Sequence, residues 1–263
     1  MATDTEIANA QKLVADRIDV LTLLEESRVP KREIVEELGY SRSTVNRAIT
    51  QLADAGLVED APRGCQTTFV GSLIAAQYRA YSEIVEDIVQ ARDVLAELPR
   101  ETDLPPTVLA DAEVVTPGGP HPYDPYHAVE EVLNSPGADG DLRVYVPSFS
   151  NPRGLELAQH LAETLPIEIV FTDELLAELT ADRTDKIETL CEIDRFTAYR
   201  ISDGPRYTLV IAASESETQG AIVTHRADRN LGGVLVTDDA DALGWMERRY
   251  ADIRAESELL ETP

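Results

Sequence analysis

The sequence has little lysine, cysteine or aromatic content, and no long apolar run. Its two cysteines, Cys65 and Cys191, lie far apart and form no CxxC pair. This excludes a disulfide framework and a zinc knuckle, leaving two inert or merely oxidisable thiols. A redox switch is the alternative at Cys65, which falls in an expected surface hairpin. No apolar stretch reaches bilayer-spanning length. The start, "MATDTEIANAQKL", lacks the basic residues and apolar core of a signal peptide. A cytoplasmic protein without a membrane partner is therefore expected. G-x-S-x-G and P-loop motifs are missing. His121, His127 and His160 have no partners at metal-ligand spacing. No catalytic residue, metal or cofactor is expected.

Lysine is the sharpest shortage. Of 23 basic residues only Lys12, Lys31 and Lys186 are lysines, and 49 acidic residues bring the net charge to -26. Such a composition resembles that of proteins from salt-loving archaea; an ordinary acidic cytosolic protein is the plainer reading. In molar salt the Debye length is about 3 Å. Repulsion between an acidic body and nucleic acid is then nearly screened away, so net charge does not exclude DNA as a partner.

What is present begins with helical spacing. At 43% hydrophobic residues over 263 positions, the chain can bury the core of one or two domains. Leu13, Val14, Ile18, Leu21 and Leu24 predict a helix over 12–26. "VPKREIVEELG" predicts a second, with Pro30 in its first turn and Gly39 ending it. Ser41 caps a third, whose Val45, Ala48, Ile49 and Leu52 step by three and four and which Gly56 closes. Leu57 and Val58 then open a strand, Pro62, Arg63 and Gly64 turn it, and Thr67, Phe69 and Val70 are expected on the return. This order is that of a winged helix-turn-helix. Residues 72–98 predict one long helix carrying a seam of Ile74, Tyr78, Tyr81, Val85 and Ile88, which suits a homodimer; packing on its own domain is the alternative.

The expected architecture is α+β: a winged helix-turn-helix at 1–70, a linker and dimerisation helix at 71–100, and a mixed α/β sensor domain at 101–263. In the last, "LRVYVP" and "IEIVF" read as buried strands around a helix. "RFTAYRIS", "YTLVIAAS", "GAIVTH" and "GVLVTD" read as a mostly antiparallel run, and the chain closes on an amphipathic helix. "TPGGPHPYDPYH" reads as a loop.

The third helix carries the strongest functional signal. Ser41 to Ala53 contain no Asp or Glu, and residues 27–70 balance six basic against six acidic residues, so the rest of the chain carries the whole net charge. With the apolar positions turned inward, Arg42, Ser43, Thr44, Asn46 and Arg47 crowd the outer face beside Ser41. Arg can fork onto guanine, Asn onto adenine, and hydroxyls onto bases or phosphates. A carboxylate there would face phosphates. Lys31 and Arg32 suit a backbone phosphate and Arg63 a wing tip. Double-stranded DNA is the expected partner; a protein-contacting winged helix is the alternative.

For an effector, the ends of the two buried strands offer Ser148, Ser150, Asn151 and Arg153, then Thr172 and Asp173. These suit an anion at a helix N-terminus or a polyol; plain helix capping is the alternative.

"PKREIVEELGYSRSTVNRAI", with "GCQTTFVGSLIA", "ARDVLAELP", "LADAEVVTP" and "GVLVTDDADALGWMERRY" in the same order, resembles the haloarchaeal winged-helix regulators related to the archaeal methanogenesis/filamentation regulators. In organisation these are similar to TrmB-like regulators. The resemblance implies a transcription regulator with a signal-sensing second domain. TrmB-like sensor domains are in turn similar to the phospholipase D fold, whose enzymes need His, Lys and Asp at fixed spacing. In "THRADRNLGG" His225 is present, but Ala227 stands where the lysine belongs and Gly233 where the aspartate belongs. A degenerate relative of those enzymes is the remaining alternative.

Overall fold

The computed structural model describes residues 3–118, 123–148, 154–228 and 230–260, and of 138 and 180–186 the backbone only. The chain divides into two compact units, Met1–Val85 and Glu86–Pro263.

The first unit opens with α1 (Asp4–Leu23), eight residues earlier than the apolar spacing suggests. Thr3 and Glu6 close a reciprocal capping box, which starts the helix without any apolar face. The helix kinks at Arg17, whose guanidinium donates to Gln51 Oε1 at 3.2 Å. Then come α2 (Lys31–Leu38) and α3 (Arg42–Asp54). Between them Gly39 takes a left-handed φ of 65°, the conformation that lets one helix end and another begin within three residues. Ser41 Oγ accepts from the Thr44 amide at 3.1 Å and so fixes where α3 starts. β1 (Val58–Ala61) and β2 (Gly64–Thr67) form an antiparallel hairpin, to which Val29 adds a bridge at Cys65. Leu21, Leu24, Ile34, Val45, Ile49, Leu52 and Cys65 are buried together beneath it.

The returning strand is shorter than expected. It stops at Thr67, and Phe69 and Val70 instead open α4 (Phe69–Gln90). Thr68 is the reason: its Oγ1 accepts from the Gly71 amide at 3.0 Å, a helix cap in place of a sheet pair. Gly71 is required here, because a Cβ would stand 2.0 Å from the Leu57 carbonyl oxygen. The long helix is also interrupted: α4 ends at Gln90, and α5 (Arg92–Leu95) follows in the second unit.

The second unit continues with β3 (Glu113–Val115), α6 (Asp124–Asn134), β4 (Asp141–Val146), α7 (Gly154–Ala162), β5 (Ile167–Thr172), α8 (Asp173–Cys191), β6 (Phe196–Ile201), β7 (Tyr207–Ala213), β8 (Thr218–His225), β9 (Leu231–Thr237), α9 (Ala240–Ala255) and β10 (Glu258–Leu259). The eight strands of its sheet run in the order β10-β6-β5-β4-β7-β8-β9-β3. β4, β5 and β6 are parallel, while β7, β8 and β9 form an antiparallel meander joined to β4. This is the expected α+β class, a winged helix-turn-helix followed by a mixed sheet. One strand departs from the expectation: "RFTAYRIS" (β6) lies parallel beside β5 and away from β7, because the 19-residue α8 returns the chain to the same end of the sheet.

Alternation along the strands sends side chains to two cores. Val144, Val146, Ile167, Ile169, Val210 and Val223 face α6, α7 and α8. Tyr145, Val170, Tyr207, Leu209, Ile222 and Leu235 face α5 and α9. Among the described residues no helix is long and apolar enough to cross a membrane.

Candidate nucleic-acid interface and effector cavity

On α3 the apolar stripe Val45, Ala48, Ile49 and Leu52 is buried, and Arg42, Ser43, Asn46 and Arg47 are exposed on the opposite side. Thr44 is half-buried. The hydroxyls at the helix start bond first to one another: Ser41 Oγ lies 2.8 Å from both Ser43 Oγ and Thr44 Oγ1. The face therefore carries two guanidiniums and one amide, with no carboxylate in its first turn.

The flanking cations differ in what they already hold. Arg32 stands 80% exposed at the start of α2, with Glu33 3.6 Å away, and Arg63 is exposed at the hairpin tip. Lys31 is half-buried and its Nζ donates to Asp60 Oδ2 at 2.6 Å, holding the carboxyl below its ordinary range. Arg28, which the sequence did not single out, donates to the Gly64 carbonyl at 3.1 Å and to Glu59 at 3.0 Å. Lys31 and Arg28 thus brace the wing against α2. Beneath the wing, burial first and then the Asp60 carboxylate push the Cys65 thiol up to about 11. It is therefore a protonated core group at neutral pH, poorly suited to react as a thiolate.

Of the expected seam on α4, Ile74 and Tyr78 are half-buried against the first unit's own core. Tyr81, Val85 and Ile88 are exposed, together with Leu73, Ile84 and Val89.

Of the expected effector groups, Ser150, Asn151 and Arg153 lie outside the described residues. Thr172 Oγ1 donates to the Pro147 carbonyl at 3.2 Å and accepts from the Leu175 amide at 3.3 Å, capping α8. Asp173 pairs with Arg200 Nε at 3.0 Å. Ser148 does line a cavity of about 130 Å³, between the sheet and helices α6 and α7. Leu133, Val144, Leu157, Leu161, Ile169 and Val210 make its walls aliphatic.

One polar pair reaches into it from the meander. Thr208 on β7 and His225 at the end of β8 bring Oγ1 and Nε2 to 2.9 Å. Burial lowers the His225 imidazole to about 4, so at neutral pH it is uncharged. Below the ordinary value of about 6.5 the unfolded chain takes up a proton that the folded protein refuses. Its contribution to stability is full above pH 6.5 and is lost as pH falls to about 4, by roughly 2–3 kcal/mol. Urea unfolding should accordingly show the wild type losing stability relative to His225→Gln over that window, and matching its slope above it.

The chain thus combines a winged helix-turn-helix unit with a mixed α/β unit that carries a cavity. Residues 8–90 match the HVO_A0261 N-terminal domain, and residues 122–256 match the middle domain of the methanogenesis regulatory protein FilR1. The chain belongs to the family defined by that FilR1 domain. No match was found among curated proteins. Among solved structures it is similar to TrmBL2, described as an archaeal chromatin protein with a novel mode of DNA binding: 12% identity, 98% of this chain and 100% of that one, TM-score 0.44. It is also similar to Nuc of Salmonella typhimurium, a phospholipase D family member: 12% identity, 58% and 99% coverage, TM-score 0.42. Polyphosphate kinase from Porphyromonas gingivalis resembles it at 8% identity, over 68% of this chain and 27% of that one, with a TM-score of 0.39.

Proposed function

We propose that this protein is a site-specific DNA-binding transcription regulator, homodimeric through α4, whose second unit senses a small molecule. One observation carries the reading: the exposed N-terminal part of α3 presents Arg42, Asn46 and Arg47, and no carboxylate occurs on the helix before Asp54 at its end, in a chain of net charge -26. Membership of a family named for a regulatory protein supports it. In this reading the N-terminal half of α3 enters the major groove, Arg32 and Arg63 meet phosphates, and ligand binding shifts the population of the DNA-competent dimer. His225 has no catalytic role in this reading, since Ala227 stands where a phospholipase D-like site needs its lysine.

Genome-wide mapping of DNA crosslinked to the protein tests this. Enrichment at discrete promoter sites is expected, and binding to a recovered site should weaken steeply with added salt, as counterion release requires. Uniform recovery of DNA would remove the site specificity, and recovery of proteins with no enriched DNA would favour an adaptor that uses its winged helix for protein contacts.

A further inference from the structure

The cavity beneath α6 and α7 has a chemistry unlike that of a sugar or anion site. Its walls are aliphatic, and its size is close to that of cavities that hold benzene. A polyol there would leave most of its hydroxyls without partners, which disfavours it. An anion fares no better: the described lining residues include no arginine or lysine, Glu130 is among them, and the imidazole of His225 is neutral. Among these walls the groups that can meet a hydroxyl are Thr208 and His225, with Ser148 and Glu130 also in the lining. Thr208 and His225, 2.9 Å apart, sit on adjacent strands on the cavity side of the sheet. Between them a hydroxyl and an imidazole can both donate and accept.

We propose that this cavity binds an uncharged, benzene-sized apolar molecule bearing one hydroxyl, oriented by the Thr208–His225 pair. The apolar body packs among Val144, Leu157 and Val210, and the hydroxyl meets the pair. Binding rests on the cavity; only its consequence for DNA rests on the regulator reading above.

The test uses the full chain without DNA, titrated calorimetrically with phenol, benzene, benzoate and glucose. Phenol should bind best, benzene about fivefold more weakly, as loss of one neutral hydrogen bond predicts. Benzoate and glucose should give no heat. Thr208→Val with His225→Leu, which removes both hydrogen-bonding groups, should bring phenol down to the level of benzene. Filling the cavity with Ala158→Leu or Ala158→Phe should abolish phenol binding, with a cooperative thermal transition showing that the variant is folded. Wild-type protein that ignores phenol and benzene, or binds benzoate or glucose more tightly, overturns the proposal. So does undiminished phenol binding in a folded Ala158 variant. Because DNA is absent, failure here leaves the DNA reading standing, and failure of promoter mapping leaves the cavity result standing.

Discussion

Replacing Arg42 and Arg47 together by alanine should weaken binding to a mapped promoter site by at least about a thousandfold, the loss expected at one half-site alone. A guanidinium forked onto a guanine edge contributes roughly 1–3 kcal/mol of discrimination, and two such contacts near the middle of that range give about 4 kcal/mol, or three decades. Both side chains are exposed on α3, opposite Val45, Ala48, Ile49 and Leu52, so the substitutions should not disturb the core. Far-UV circular dichroism and the unfolding midpoint are expected to stay as in the wild type. Arg32→Ala makes the informative contrast. Its site at the start of α2 suits a phosphate, so it should weaken all DNA sequences alike and lower the salt slope by about one. Lys31→Ala should behave differently again, because its ammonium already holds Asp60 across the base of the wing. A double variant that keeps operator affinity within threefold would remove α3 from the DNA interface.

The register of α3 was legible in the sequence because every determinant is local. Gly39 ends one helix, Ser41 caps the next, and apolar steps of three and four orient it. The boundary at Thr68 was not legible: Phe69 and Val70 have strand propensity, and the cap that Thr68 Oγ1 provides to the Gly71 amide turns them into helix. α6 escaped notice because its first residues, Asp124 to His127, lie in a stretch dense in proline and glycine. β6 carries the same alternating signal as its neighbours, and no local feature distinguishes a parallel partner from an antiparallel one. The cavity lies furthest from sequence reasoning. Thr208 and His225 are 17 residues apart and read as ordinary strand positions; the pairing of β7 with β8 brings them together. A histidine ending the apolar run "GAIVTH" was the available signal.

On α4 the stripe open to a second copy begins further along the helix than the expected seam. The sequence put Ile74 and Tyr78 at its start, but both pack on the first unit's own core. The outward stripe of α4 is instead centred on Tyr81, Ile84 and Ile88, which are 64%, 42% and 38% exposed and step by three and then four. Such a stripe suits a second copy of the same helix, since each Ile84 and Ile88 would meet its equivalent about a two-fold axis. Ile84→Glu with Ile88→Glu would place four carboxylates in that seam per dimer. Their desolvation and mutual repulsion should weaken association by at least about a thousandfold, leaving a monomer at micromolar concentration by sedimentation equilibrium. Gln90→Glu adds charge off the seam and should leave association intact. DNA affinity should fall with the dimer even though α3 is untouched, because each winged helix then binds its half-site without the effective concentration that linkage supplies. A double variant that still sediments as a dimer would place the self-association surface elsewhere and return the α4 stripe to some other partner.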